Sequence, residues 1–217
     1  MNSLLLLLVS FSIIFPFSTG LVRHRRIGSG YQPFFILIVV AVITEAINGY
    51  LIKVHHHSNA IPANIYALTE CILIVWQFHV WGFLQSKKPI FYGLLILFFL
   101  GWVYENLVLG NITGFPPYFR FLYSFLIVLL SVNKINFMIT HDNRNLLRRP
   151  DFLICIGLII FFIYKILYEW AYQASLFGQS SITSNIIMLF GYFNALTNII
   201  FAIAFLLIPA RQKFTLY

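Results

Sequence analysis

Residues Pro62–Phe83, PANIYALTECILIVWQFHVWGF, hold a single formal charge, Glu70, in a run otherwise made of apolar, aromatic and small polar side chains. About 20 such residues, rising about 1.5 Å each, cross the hydrocarbon core of a bilayer as a helix. A surface helix of a soluble protein would carry a charged face, and this run has one formal charge. The stretch therefore reads as a membrane span. Its glutamate would cost roughly 2.5–3.5 kcal/mol at the centre of a lipid-facing helix. A chain that keeps a carboxylate there must point it at a cation, at another polar group or at water.

The same reading repeats along the chain. Seven segments qualify as spans: Ser3–Gly20, Pro33–Lys53, Pro62–Phe83, Pro89–Leu109, Pro117–Phe137, Phe152–Tyr172 and Asn185–Ile208. Pro33, Pro62, Pro89, Pro117 and Pro150 stand at or just before span starts, where the first helical turn needs no N–H. The expected fold is all-α, a polytopic membrane protein of seven transmembrane helices forming one domain over residues 1–217. Composition agrees: 60% of residues are hydrophobic and 9% charged, with a mean hydropathy of +0.88. An ordinary soluble domain has about 25% charged residues.

The formal net charge of +8 does not indicate nucleic acid. The basic residues fall in short loops beside apolar spans, where they set topology and meet anionic headgroups. Arg23, His24, Arg25 and Arg26 follow span one, Lys87 and Lys88 span three, Lys134, Arg144, Arg148 and Arg149 span five, and Arg211 and Lys213 span seven. The alternate loops hold only Lys53 and, at a helix mouth, Arg120. The positive-inside rule then places the N-terminus outside and the C-terminus in the cytoplasm. Span one is expected to be a retained helix, because Met1-Asn2-Ser3 lacks the positive start of a signal peptide. No loop exceeds about 16 residues, so output to the cytoplasm would pass through a partner protein. Cys71 and Cys155 fall at different depths and are expected as buried small hydrophobes rather than a disulfide.

Four of the six acidic residues lie within spans: Glu45, Glu70, Glu105 and Glu169. Helical rise puts Glu45, Glu70, Lys165 and Asn194 about 11–13 Å below the outer ends of their spans, with Glu105, Glu169 and Arg120 about 5–6 Å below. Helical phase gives each span one polar row. Asn48 follows Glu45 by three residues, while Tyr66–Glu70, Lys165–Glu169 and Asn194–Asn198 are i, i+4 pairs. These ten residues, Glu45, Asn48, Tyr66, Glu70, Glu105, Arg120, Lys165, Glu169, Asn194 and Asn198, are the candidate ligand-binding set. They predict a polar cavity near the outer surface, lined by spans two, three, six and seven. Four carboxylates against Lys165 and Arg120 leave a negative layer, which favours a bound cation or a protonated carboxyl. Lys165 and Glu169 are expected to pair, as a gate or as counter-ions. His55, His56 and His57 read as an exposed tract near the cavity mouth. No catalytic residue, metal site or cofactor is assigned.

Tyr66-Ala-Leu-Thr-Glu70 matches Asn194-Ala-Leu-Thr-Asn198, and spans two and six both begin Pro-x-Phe. A 3+1+3 repeat, two three-helix units joined by span four, would place a site between the halves. Other seven-helix classes fit poorly. An opsin-like pigment needs a lysine in its last helix, and span seven has none. Marks of the Asp-Arg-Tyr or Asn-Pro-x-x-Tyr kind are absent, as is the Pro-Gln pair of PQ-loop transporters. Ceramidase-like hydrolases use His and Asp inside their helices, where this chain has glutamates.

Asn64–Trp76 (NIYALTECILIVW), Leu146–Tyr164 (LLRRPDFLICIGLIIFFIY) and the Asn-rich last helix around Asn194 and Asn198 resemble an uncharacterised group of bacterial seven-helix membrane proteins. That resemblance implies a fold and a bacterial inner membrane, and no activity. The expected partners are the lipid bilayer, a small polar or cationic ligand and a membrane or cytoplasmic partner protein. The expected role is a sensor subunit or carrier. An intramembrane lipid hydrolase using a glutamate, with or without a metal, and an assembly subunit are the alternatives.

Overall fold

A computed structural model of the 217-residue chain describes residues 11–54, 58–84, 88–141, 145–177 and 181–209. These residues form helices joined by short turns. They are α1 (Ile14–Val22), α2 (Gln32–Val54), α3 (Ala60–Val80), α4 (Lys88–Val103), α5 (Pro117–His141), α6 (Pro150–Phe177) and α7 (Ser181–Leu207). A π-helical turn, Tyr104–Val108, extends α4. Six helices are long and apolar enough to cross a membrane, from Gln32–Ile52 to Asn185–Leu207, and the chain is an integral membrane protein. α1 and the 3-10 turn before it form a shorter apolar helix, Phe11–Val22. The first half of the expected span one, and the histidine tract His55–His57, lie outside the described residues.

The prolines act where the sequence places them. Pro117 and Pro150 are the first residues of α5 and α6, Pro33 and Pro89 the second of α2 and α4, and Pro62 the third of α3. Each falls in a first turn that has no intrahelical use for its N–H. At the far end of α3, Trp81 N–H bonds to Gln77 O, and Gly82 turns the chain away at φ 79°. Only glycine enters that left-handed region without a steric cost.

α6 packs along α5 and α7, α2 along α3, and α1 wedges against α7 and α2. α4 packs chiefly on α3, and its Ile96, Phe99 and Leu100 are exposed, as suits a lipid-facing helix. Large exposed apolar side chains recur on every long helix. In lipid these are solvated, and helix association rests on close packing and interhelical hydrogen bonds.

The end that carries Arg23–Arg26 and Arg148–Arg149, here the basic end, is densely packed. Phe34 meets Phe201 edge-on at 4.9 Å and Phe205 at 5.7 Å. Gly157 lets α6 approach α7 so closely that a Cβ there would collide with the Phe201 ring. Gln77 is fully engaged: its Oε1 accepts Phe34 N–H at 2.9 Å and its Nε2 donates to Gly30 O at 2.6 Å. That fastens the start of α2 to the end of α3. Arg149 grips Asp151 through two bonds, at 3.0 and 2.7 Å, and this contact holds the guanidinium in its charged form above its ordinary range. Cys71 and Cys155 are buried and not disulfide-bonded.

Candidate functional site

Away from the basic end, α2 and α3 stand on one side and α6 and α7 on the other, with little direct packing of α2 on α6 or α7. A cavity of about 230 Å³ fills the gap. α2 presents Ala41, Thr44, Glu45 and Asn48 to it, a row with the i, i+3, i+4, i+7 spacing of one helical face. α3 adds Tyr66, α5 adds Arg120, α6 adds Lys165, Tyr168 and Glu169, and α7 adds Phe190 and Asn194. A smaller cavity of about 50 Å³ lies next to it and shares Ile13, Ala41, Tyr66, Phe161 and Asn194. Glu70, Thr197 and Asn198 line that smaller space.

Of the ten candidate residues, seven therefore meet around the larger cavity: Glu45, Asn48, Tyr66, Arg120, Lys165, Glu169 and Asn194. Glu70 and Asn198 meet at the smaller one. Glu105 lines neither. Its Oε1 accepts the N–H of Tyr118 at 2.9 Å and its Oε2 that of Phe119 at 2.6 Å. Both oxygens are spent on first-turn amides of α5 that have no intrahelical partner, where the helix dipole also favours an anion. Glu105 thus stands apart from the other nine candidates, as the cap of a helix.

Among the described residues two ion pairs cross between helices. Lys165 Nζ donates to Glu70 Oε2 at 2.7 Å and also to Tyr123 Oη, whose own proton goes to Glu70 Oε2 at 2.7 Å. Tyr66 Oη donates to the other carboxylate oxygen at 3.2 Å. Glu70 is thus held by α3, α5 and α6 together. The ammonium also lies over the rings of Tyr123, Phe161 and Phe162, at 5.0, 5.3 and 5.4 Å. Such contacts add to its stabilisation in a desolvated place.

The second pair is Arg120 Nη1 to Glu169 Oε1 at 2.9 Å. Arg120 Nη2 donates to Asn64 Oδ1 at 2.9 Å, and Asn64 Nδ2 donates to Ile112 O and Gly114 O, each at 2.9 Å. Trp102 Nε1 bonds to Asn64 O at 2.8 Å. The turn around Asn111–Thr113 is fastened through Asn64 to the same guanidinium that touches the cavity.

The expected Lys165–Glu169 pair is not formed. An i, i+4 pair on one helix is worth only about 0.2–0.5 kcal/mol. A desolvated ammonium gains more from Glu70 with Tyr123, and Glu169 gains one charge-assisted bond from Arg120. The Asn194–Asn198 contact is long, at 3.5 Å, and the shorter partner of Asn198 Nδ2 is Ser12 Oγ at 2.8 Å.

Some polar capacity around the larger cavity is not met inside the protein. Asn48 Oδ1, Arg120 Nε and Glu169 Oε2 are buried and have no hydrogen-bond partner among the described residues. Glu45 is exposed along the cavity wall, with no ion pair or hydrogen bond to any described residue. Sequence reading missed Thr44, Asn64, Tyr123, Tyr168 and Phe190. The Ala41–Asn48 row carried the signal for Thr44, and Tyr123 lies one turn beyond Arg120. Asn64, which binds a loop from another part of the chain, left no local trace. Among the described residues no three His, Cys, Asp or Glu side chains cluster as a metal site would require.

Compared with known protein families, with curated proteins and with solved structures, the chain matches none. The resemblance read from Asn64–Trp76 gains no support there.

Proposed function

We propose that this protein binds a small polar or cationic solute in the cavity between α2, α3, α6 and α7, as a sensor subunit or carrier in a bacterial inner membrane. The observation that carries the reading is the unmet polar capacity around one 230 Å³ space: Glu45, Asn48 Oδ1, Glu169 Oε2 and Arg120 Nε. Buried polar atoms are ordinarily paired, and groups left over around a cavity mark where water or ligand completes them. A space of this size takes a small solute.

In this reading the chain has seven spans with the N-terminus outside, and the basic end faces the cytoplasm. The cavity then lies in the outer half of the bilayer and opens outward. The neighbouring 50 Å³ space, where Glu70, Thr197 and Asn198 stand among mainly apolar side chains, continues the path toward the basic end. The Phe34–Phe201–Phe205 cluster would close that path from below. The two Ala-Leu-Thr segments, on α3 and α7, flank the cavity from opposite sides, as a 3+1+3 repeat would place them.

Thiol labelling tests the reading. Asn48→Cys, in a chain with Cys71→Ala and Cys155→Ala, should react with a membrane-impermeant thiol reagent in intact cells. Reaction only in inverted vesicles, or none in either, overturns the outward-facing pocket.

A further inference from the structure

We infer that the larger cavity selects a small organic ammonium ion, a monocation that brings its own N–H donors. The inference rests on the reading of this cavity as a solute site and names the class of solute.

Charge comes first. Arg120 is matched by Glu169, and Lys165 by Glu70. Glu45 is left, so the wall carries one negative charge that no described residue offsets. Hydrogen-bonding capacity points the same way. Lys165 gives two of its three protons to Glu70 and Tyr123, and Arg120 gives its Nη bonds to Glu169 and Asn64. Among the buried cavity atoms without a partner two accept, Glu169 Oε2 and Asn48 Oδ1, and one donates, Arg120 Nε, while the Glu45 carboxylate adds uncommitted acceptors. Glu169 is 2% exposed and Asn48 Oδ1 is buried, so a ligand meets Glu45 first.

The remaining walls suit the same guest. Tyr66, Phe161, Tyr168 and Phe190 line the space, and Tyr168 and Phe190 stack at 4.5 Å. Ring faces attract an organic cation in a desolvated site. An anion would meet Glu45 while both cations of the wall are engaged elsewhere. A zwitterion would bring a carboxylate with the same difficulty. A bare divalent ion wants about six or more oxygens, more than this wall has uncommitted.

The test is calorimetric titration of the full chain in nanodiscs at constant ionic strength, with ethylammonium, tetramethylammonium, glycine and acetate. Ethylammonium should bind. Tetramethylammonium, equal in charge but without N–H groups, should bind about tenfold more weakly, and Glu45→Gln should weaken ethylammonium by about tenfold or more. Asn48→Ala should weaken it several-fold. Tighter binding of acetate or glycine, undiminished by Glu45→Gln, overturns the ammonium assignment and leaves the solute site standing. Binding of none of the four also overturns the assignment, and the solute site is then judged by the Asn48→Cys labelling alone.

Discussion

Glu70, at the smaller cavity, and Glu45, at the larger one, are the same kind of side chain put to different use. On the side of α3, α5 and α6, Glu70 accepts from Lys165, Tyr123 and Tyr66, three partners on three helices. On the side of α2, Glu45 and the amide oxygen of Asn48 have no hydrogen-bond partner among the described residues. Both glutamates sit near mid-span, where an unmatched carboxylate is expensive. A saturated polar group holds helices together, and removing one partner strands the other. A polar group left unsaturated beside a cavity contributes little to the fold and is explained by what enters the cavity. Depth and residue type do not separate the two cases. Partner capacity does.

Variants that break this contrast differ in size. The largest effect should come from Lys165→Met, which leaves Glu70 buried without its cation. Losing one member of a buried pair costs about 3–5 kcal/mol. The thermal stability of the purified protein should fall accordingly, and the double variant Glu70→Gln/Lys165→Met should recover most of it. Full stability in the single variant would show that the saturated side is not structural.

Glu105→Ala should cost about 2 kcal/mol, the upper range for a lost helix cap. Hydrogen exchange should show the effect concentrated at Tyr118 and Phe119, whose amides the carboxylate binds. Ligand binding should be unchanged, which separates this glutamate from Glu45.

Gly157→Ala sharpens the contrast between the cavity and the packed basic end. The new methyl collides with Phe201. Overpacking of this kind costs about 1–3 kcal/mol, part of which the higher helix propensity of alanine offsets. Phe201→Leu should relieve it, as measured by the melting temperature of the double variant.

The smallest effect on stability should be that of Glu45→Gln and Asn48→Ala, each within about 0.5 kcal/mol of the parent by thermal unfolding. A larger loss at either position would mean that α2 is held by these side chains after all.

Much of the fold was legible because the bilayer imposes long apolar runs and because prolines mark helix starts. The structure starts α6 at Pro150 rather than Phe152 and α7 at Ser181 rather than Asn185. Helix ends extend beyond the hydrocarbon-length run that hydropathy reads. The polar rows were legible too, since one face of a helix recurs every three to four residues. Partner choice was not. Lys165 stands one turn from Glu169 but binds Glu70, 95 positions away. Arg120 reaches Glu169 and Asn64, 49 and 56 positions away. Glu105 reads from sequence as one more carboxylate in the layer, because its partners are backbone amides that exist only once α5 has formed. A row shows which side chains face inward. Tertiary geometry decides which of them are already satisfied there.

The most direct measurement is the melting temperature of the full chain in nanodiscs for the parent, Glu45→Gln and Glu70→Gln, each with and without ethylammonium. The account predicts that Glu70→Gln melts well below the parent, while Glu45→Gln melts with it and loses the rise that ethylammonium gives the parent. If Glu45→Gln instead falls as far as Glu70→Gln, or keeps the ethylammonium response intact, the division between a structural and a binding carboxylate is contradicted.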